Sequence, residues 1–263
     1  AYPIALLNQN INLDQLLAVN NAMKYPLAYI QGPPGTGKTN TILNTIVTAF
    51  FNNMTVLFAS YNNVPINNVF EKLSSLTYKG KRVAFPVLRL GNQEKVKECI
   101  CYINQLRREV HGIKVFSSTL DRRKGDRIDR AKQLSGRLKE YEEVLDLTER
   151  KETLTQVMEY QERMKNVATL FHFHTDLQGR QLRNLDEKIQ KIGEISERDA
   201  MALLDRNEDE FYSYLYYTSA KYIKELESNR FQDLRKILDD DEDVNEQAAA
   251  FNKYLQKSEN VKK

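Results

Sequence analysis

Apolar residues follow two different spacings along this chain. Through about residue 98, short apolar runs alternate with amphipathic stretches. Leu27-Ala28-Tyr29-Ile30, Thr55-Val56-Leu57-Phe58-Ala59 and, after Pro86, Val87-Leu88-Arg89-Leu90 are compact apolar runs that predict buried strands. Between them, residues 38–51 and 66–76 repeat apolar positions at three- and four-residue intervals and predict helices. Strand, helix, strand, helix, strand implies right-handed crossovers and a parallel sheet with helices on its faces.

Beyond residue 98 only the helical period remains. Leu134, Leu138, Tyr141 and Leu145, then Leu154, Val157, Met158 and Met164, predict one long helix. Leu182, Leu185, Ile189, Ile192 and Ile195 predict a second, with residues 171–179 as the turn between them. Two such stripes pack naturally as an antiparallel helical hairpin. Ser196 and Asp199 have the spacing of a capping box opening a further helix. Helical spacing continues at Phe211, Tyr214 and Leu215, at Phe231, Leu234 and Leu238, and at Phe251, Tyr254 and Leu255. The expected fold class is α/β: residues 1–98 form the sheet domain, and residues 99–263 form a large all-helical insertion.

Charge sharpens that division. Residues 1–100 hold 9 Lys/Arg against 4 Asp/Glu, whereas the remainder holds 30 against 32. The second part therefore has the densely mixed charge of solvated helix faces. With 263 residues, 41% hydrophobic and 29% charged, the chain is a globular protein rather than a disordered one. A net charge of only +3 excludes a bulk electrostatic argument for nucleic acid, so such a partner must rest on a local site. Cys99 and Cys101 are too close for an ordinary bridge, which points to a reducing compartment. No apolar run approaches the ~18 residues of a membrane span, and no leader opens the chain; the expectation is a cytoplasmic protein with no membrane partner.

The chemistry lies in Gly32-Pro33-Pro34-Gly35-Thr36-Gly37-Lys38-Thr39, which fits G-x-x-x-x-G-K-[ST] between an apolar run and a helix. Gly32, Gly35 and Gly37 let successive backbone N–H groups turn toward phosphate oxygens, and Pro33 and Pro34 stiffen the loop. The helix beginning at Lys38, with Asn40 in its first turn, adds its positive dipole end. Lys38 is placed to reach the β- and γ-phosphates, and the Thr39 hydroxyl to ligate Mg²⁺. The expected cofactors are ATP and Mg²⁺.

The neighbours of this loop carry a resemblance. Ile11-Asn12-Leu13-Asp14-Gln15 lies upstream, Ser60-Tyr61-Asn62-Asn63-Val64-Pro65-Ile66-Asn67 follows the second apolar run, and Leu88-Arg89-Leu90-Gly91-Asn92 ends the third. Over residues 11 to about 92 the chain resembles superfamily 1 helicases of the nonsense-decay-helicase type and their bacterial relatives. The resemblance implies a RecA-like P-loop core in which Gln15 reads the adenine edge. It also implies that Ser60, Asn62 and Asn63 contact the backbone of single-stranded DNA or RNA, with travel from 5′ to 3′. Where Asn67 and Pro65 stand, that family usually has an aspartate and a small residue.

Hydrolysis needs an acidic pair at the end of an apolar strand. The one acidic cluster after apolar residues, Asp239-Asp240-Asp241-Glu242-Asp243, follows helical spacing and reads as a helix end and solvated loop. The expectation is the first part of a helicase motor that binds ATP with little or no hydrolysis and does not unwind. Two other readings stand beside it: a chromosome-maintenance-type ATPase with a coiled arm, and a non-enzymatic nucleotide-dependent module whose hairpin docks a protein partner. Cys99, Cys101, His172 and His174 lack metal-ligand spacing. Arg122, Arg123, Lys124, Arg127 and Arg130 form a basic run that could touch phosphates but reads first as a solvated helix face.

Overall fold

The computed structural model describes residues 2–7, 10–164, 175–193, 197–204, 208–239 and 243–257. The chain divides into two compact units, each built from two stretches: residues 1–54 with 127–204, and residues 55–126 with 205–263.

The first unit contains α1 (Leu13–Lys24), α2 (Lys38–Phe51), most of the long α5 (Ser117–Met164), α6 (Thr175–Ile192) and the short α7 (Glu197–Ala202). Asn12 opens α1 with a capping box: its side chain accepts from the Gln15 N–H at 2.9 Å, and the Gln15 amide oxygen accepts from the Asn12 N–H at 3.3 Å. Leu16 and Val19 of α1 pack with Leu6, Ile11, Leu134, Leu138, Ala200 and Met201 in one apolar cluster.

The N-terminal segment is tied to α2 by polar side chains instead. Thr48 Oγ1 accepts from the Ala5 N–H at 3.1 Å and donates to the Ala5 carbonyl at 3.0 Å. Asn44 Oδ1 accepts from the Leu7 N–H at 2.9 Å, and Asn52 Nδ2 donates to the Pro3 carbonyl at 3.0 Å. The registers match because four helical residues rise about 6 Å while two extended residues rise about 6.6 Å. Residues 44, 48 and 52 on one helix face therefore meet residues 7, 5 and 3 in turn. Asn44 and Thr48 are among the few buried polar residues, and these bonds are what makes their burial tolerable.

The second unit holds α3 (Asn63–Ser74), the hairpin β1 (Thr77–Tyr78) and β2 (Lys81–Arg82), α4 (Gln93–Val110), α8 (Glu208–Glu225), α9 (Gln232–Asp239) and α10 (Val244–Gln256). Val96, Cys99, Ile100 and Ile103 of α4 pack on Leu234, Leu238, Ala248 and Phe251. Leu106 and Val110 pack on Ala84, Ala220 and Ile223. The hairpin turns through Lys79 (φ 49°) and Gly80 (φ 74°), two left-handed residues as a tight antiparallel turn requires. Phe70 of α3 meets Tyr102 of α4 edge-on, ring centroids 5.5 Å apart.

The three apolar runs expected as parallel strands form no ladder among the described residues. Residues 27–30, 55–59 and 87–90 run without regular pairing, and Leu27, Tyr29 and Leu57 are 88%, 86% and 89% exposed. An apolar run becomes a buried strand only where neighbours satisfy its backbone and cover both faces. Among the described residues the one sheet is the β1–β2 hairpin. The helical expectations fare differently. Lys38–Phe51 forms with the expected bounds, and the long helix starts earlier, at Ser117. Residues 175–179, expected within a turn, are the first residues of α6; residues 171–174 and Ser196 lie outside the described residues. Lys151 of α5 pairs with Asp186 of α6 at 2.5 Å, beside a groove lined by Leu154, Val157, Asn184 and Leu185. Among the described residues no helix is long and apolar enough to cross a membrane.

Candidate functional site

The loop before α2 adopts the shape its glycines demand. Gly35 and Gly37 have φ of +85° and +78°, a left-handed backbone that an L side chain resists. A Cβ on Gly37 would stand 2.8 Å from Gln15 Nε2, the movable end of a flexible side chain, so conformation rather than contact reserves this position for glycine. Thr36 Oγ1 donates to the Pro33 carbonyl at 2.8 Å and braces the turn.

Gly37 leads into α2 with no side-chain cap, and no acidic residue occupies the first turn. The first intrahelical bond to Gly37 comes from the Thr41 N–H, which leaves the N–H groups of Lys38, Thr39 and Asn40 facing the loop. Lys38 folds over the same concavity: its ammonium donates to the carbonyls of Gly32 at 2.7 Å and Pro33 at 2.6 Å. Thr39 is exposed beside it. One ammonium, a row of free N–H groups, a helix dipole and a hydroxyl form a donor set that suits a polyphosphate and its divalent counter-ion.

Gln15 joins this site from α1. Its Nε2 donates to the Thr36 carbonyl at 2.7 Å while its Oε1 holds the Asn12 N–H. The structure thus brings Gln15, Gly32, Pro33, Pro34, Gly35, Thr36, Gly37, Lys38, Thr39 and Asn40 into one neighbourhood.

Ser60, Asn62 and Asn63 belong to the other unit, where they lead into α3. All three are exposed, and Tyr61 between them is 104% exposed. Ser60 Oγ accepts from the Asn62 N–H at 3.4 Å, and Asn62 stands at the N-cap without a side-chain cap bond. Arg89 also reaches this helix start, a contact that no spacing in the sequence signals. Its Nη2 donates to Asn63 Oδ1 at 2.8 Å and its Nε to Asn67 Oδ1 at 3.1 Å.

The other candidate residues have other occupations. Asp243 caps α10 through the Asn245 N–H, and hydrogen bonds from Asn245, side chain first, hold its carboxyl below the usual carboxylate range. Arg127 lies over the Phe51 ring, 5.1 Å from its centroid. Burial pushes the Cys99 thiol up to about 12, whereas Cys101 is exposed. His172 and His174 lie outside the described residues.

A family model described as AAA domain matches residues 10–261. The chain is 32% identical over 99 residues to DNA-binding protein SMUBP-2 of Mus musculus, covering 37% of this chain and 9% of that protein. It is 31% identical over 94 residues to DNA polymerase alpha-associated DNA helicase A of Schizosaccharomyces pombe, covering 35% and 13%. It is 36% identical over 93 residues to an uncharacterized ATP-dependent helicase, MJ0104, of Methanocaldococcus jannaschii, covering 35% and 13%. The chain thus spans only about a tenth of the length of these relatives. No solved structure matches.

Proposed function

The chain belongs to the AAA domain family, and from that premise we propose that it is the ATP-binding part of an ATP-dependent nucleic-acid helicase or translocase of superfamily 1, in the nonsense-decay-helicase-like group. The observation that carries this reading is the uncapped start of α2 behind two left-handed glycines, with Lys38 folded over it. ATP phosphates take the place of the Gly32 and Pro33 carbonyls around the Lys38 ammonium and accept from the free N–H groups of the first turn. The Thr39 hydroxyl is the protein's contribution to Mg²⁺, which when bound neutralises charge on the β- and γ-phosphates.

Gln15 reads the base. A side-chain amide offers one donor and one acceptor side by side, the complement of the amino group and ring nitrogen on the adenine edge. Its present bonds to Thr36 and Asn12 keep the amide next to the loop, where a base attached to the bound phosphates would arrive. Ser60, Asn62 and Asn63 meet the backbone of single-stranded nucleic acid, for which short polar side chains at an exposed helix start are suited. The apolar side chains that residues 27–30, 55–59 and 87–90 leave uncovered support a reading of these unpaired runs as strands of the family's sheet.

Residues 99–263 are the helical insertion of this core, with α5 and α6 as its hairpin. The 48-residue length of α5 is the one observation favouring a coiled-arm ATPase or a partner-docking arm instead. Single-strand stimulation of ATP hydrolysis in the full-length protein decides between them. Stimulation lost in Lys38→Ala is the expected result, and hydrolysis indifferent to single strands overturns the helicase reading.

A further inference from the structure

Arg89 is held in an unusual way for an arginine on a half-exposed surface. Asn63 and Asn67 stand one turn apart on the same face of α3, and their amide oxygens receive the guanidinium from Nη2 at 2.8 Å and Nε at 3.1 Å. The Nη1 donates to the carbonyl of Leu90. The head group is therefore fixed at three points. Yet each of these acceptors is neutral, and among the described residues no carboxylate pairs with Arg89.

That combination matters. A carboxylate would orient the guanidinium equally well but would also cancel its charge. Two asparagine amides orient it and leave the charge whole. Three of its five N–H groups are engaged, which leaves two for another acceptor. The surroundings are of one kind: the first turn of α3 carries no acidic residue, Asn62 makes no side-chain cap bond, and Gly91 offers no side chain to screen the head group.

We propose that Arg89 is a phosphate-binding residue for the single strand, oriented by Asn63 and Asn67, which act as positioning residues that preserve its charge. The proposal rests on the reading of Ser60, Asn62 and Asn63 as strand contacts, and it extends that contact to the end of the third apolar run. A rigid planar cation with two free donors matches the two non-bridging oxygens of a phosphodiester and reads no base, as a sequence-tolerant motor requires.

The test is equilibrium binding of a fluorescent oligothymidylate by anisotropy over a series of salt concentrations, with wild type, Arg89→Ala, Asn67→Asp and Asn62→Ala. Arg89→Ala should weaken binding about five- to tenfold and lower the slope of log affinity against log salt by about 0.7, the value for one phosphate contact on a single strand. Asn67→Asp keeps the clamp and neutralises it, so it should reproduce the lower slope while its thermal melt stays at or above that of wild type. A wild-type slope in Asn67→Asp, or wild-type affinity in Arg89→Ala, overturns the proposal. If Asn62→Ala alone weakens binding, the strand reading survives and only the role of Arg89 falls. If wild type itself fails to bind the oligonucleotide, the strand reading falls, and the role of Arg89 with it.

Discussion

The starts of α2 and α3 invite comparison, because each is an uncapped helix entered from an apolar run and free of acidic residues in its first turn. Their loops nonetheless differ in shape. Before α2, Gly35 and Gly37 reverse the backbone into a concavity, and the cation that faces it, Lys38, is the first residue of the helix itself. Over residues 55–62, leading into α3, there is no left-handed residue; the loop stays open, and its cation comes from Arg89, 26 residues beyond Asn63. A closed loop with a local lysine can surround a compact polyphosphate. An open helix start with a fixed arginine can only present a surface, which suits one link of a polymer passing over it. Glycine placement, rather than the helix dipole common to both, makes the difference.

The two helices are also secured differently. α2 is held by the hydrogen bonds of Asn44, Thr48 and Asn52 to the N-terminal segment. α3 is held by buried Val69 and Leu73 and by Phe70 against Tyr102.

The sharpest break of the comparison is Lys38→Ala. Removing the charge-assisted contacts to phosphate should weaken ATP binding by roughly 100-fold, in line with ~3 kcal/mol for hydrogen bonds to charged groups. Oligonucleotide binding at the α3 start should remain, and calorimetric titration with ATP alongside anisotropy separates the two. Next in size is Thr48→Val, a near-isosteric change that leaves the buried Ala5 N–H and carbonyl without partners. It should lower unfolding stability by about 2–3 kcal/mol in denaturant titration. A loss below about 0.5 kcal/mol would mean water repairs the gap.

Gln15→Ala should act on selectivity more than on affinity, reducing the preference for ATP over GTP by about tenfold, the lower part of the range for a bidentate base contact. Unchanged discrimination would assign Gln15 to bracing Thr36 alone. The smallest effect concerns α4, against which α3 packs. Burial raises the Cys99 thiol to about 12, so the folded state holds its proton while the unfolded state releases it. The linked stability is complete below the ordinary thiol value of 9.0 and declines as pH rises from there toward 12. Accordingly, iodoacetamide at pH 8 should label Cys101 and spare Cys99 until denaturant is added, as mass spectrometry of the peptides would report.

Much of the candidate site was legible because its determinants are local. The glycine spacing and Lys38 announce the loop, and the apolar period from Lys38 to Phe51 announces α2 with its true bounds. The hairpin at residues 77–82 has no apolar alternation to announce it, although Lys79-Gly80 between Thr77-Tyr78 and Lys81-Arg82 is a fair turn signal. Gln15 was placed by resemblance, but its grip on Thr36 required the fold. Asn44, Thr48 and Asn52 looked like ordinary helix residues, since a polar stripe does not name its partner.

The chain's sequence by itself determined that α2 runs from Lys38 to Phe51, that helical spacing prevails beyond residue 98, and that a glycine-rich loop of the phosphate-binding pattern precedes α2. Each follows from bonds closed within a few residues, i to i−4 in helices and neighbour to neighbour in the loop. Only the tertiary structure decided that 27–30, 55–59 and 87–90 lie exposed and unpaired, that the N-terminal segment docks on α2, and that Arg89 is clasped by Asn63 and Asn67. Those outcomes depend on partners distant in the chain, and a residue pattern states the need for such a partner without saying which one meets it.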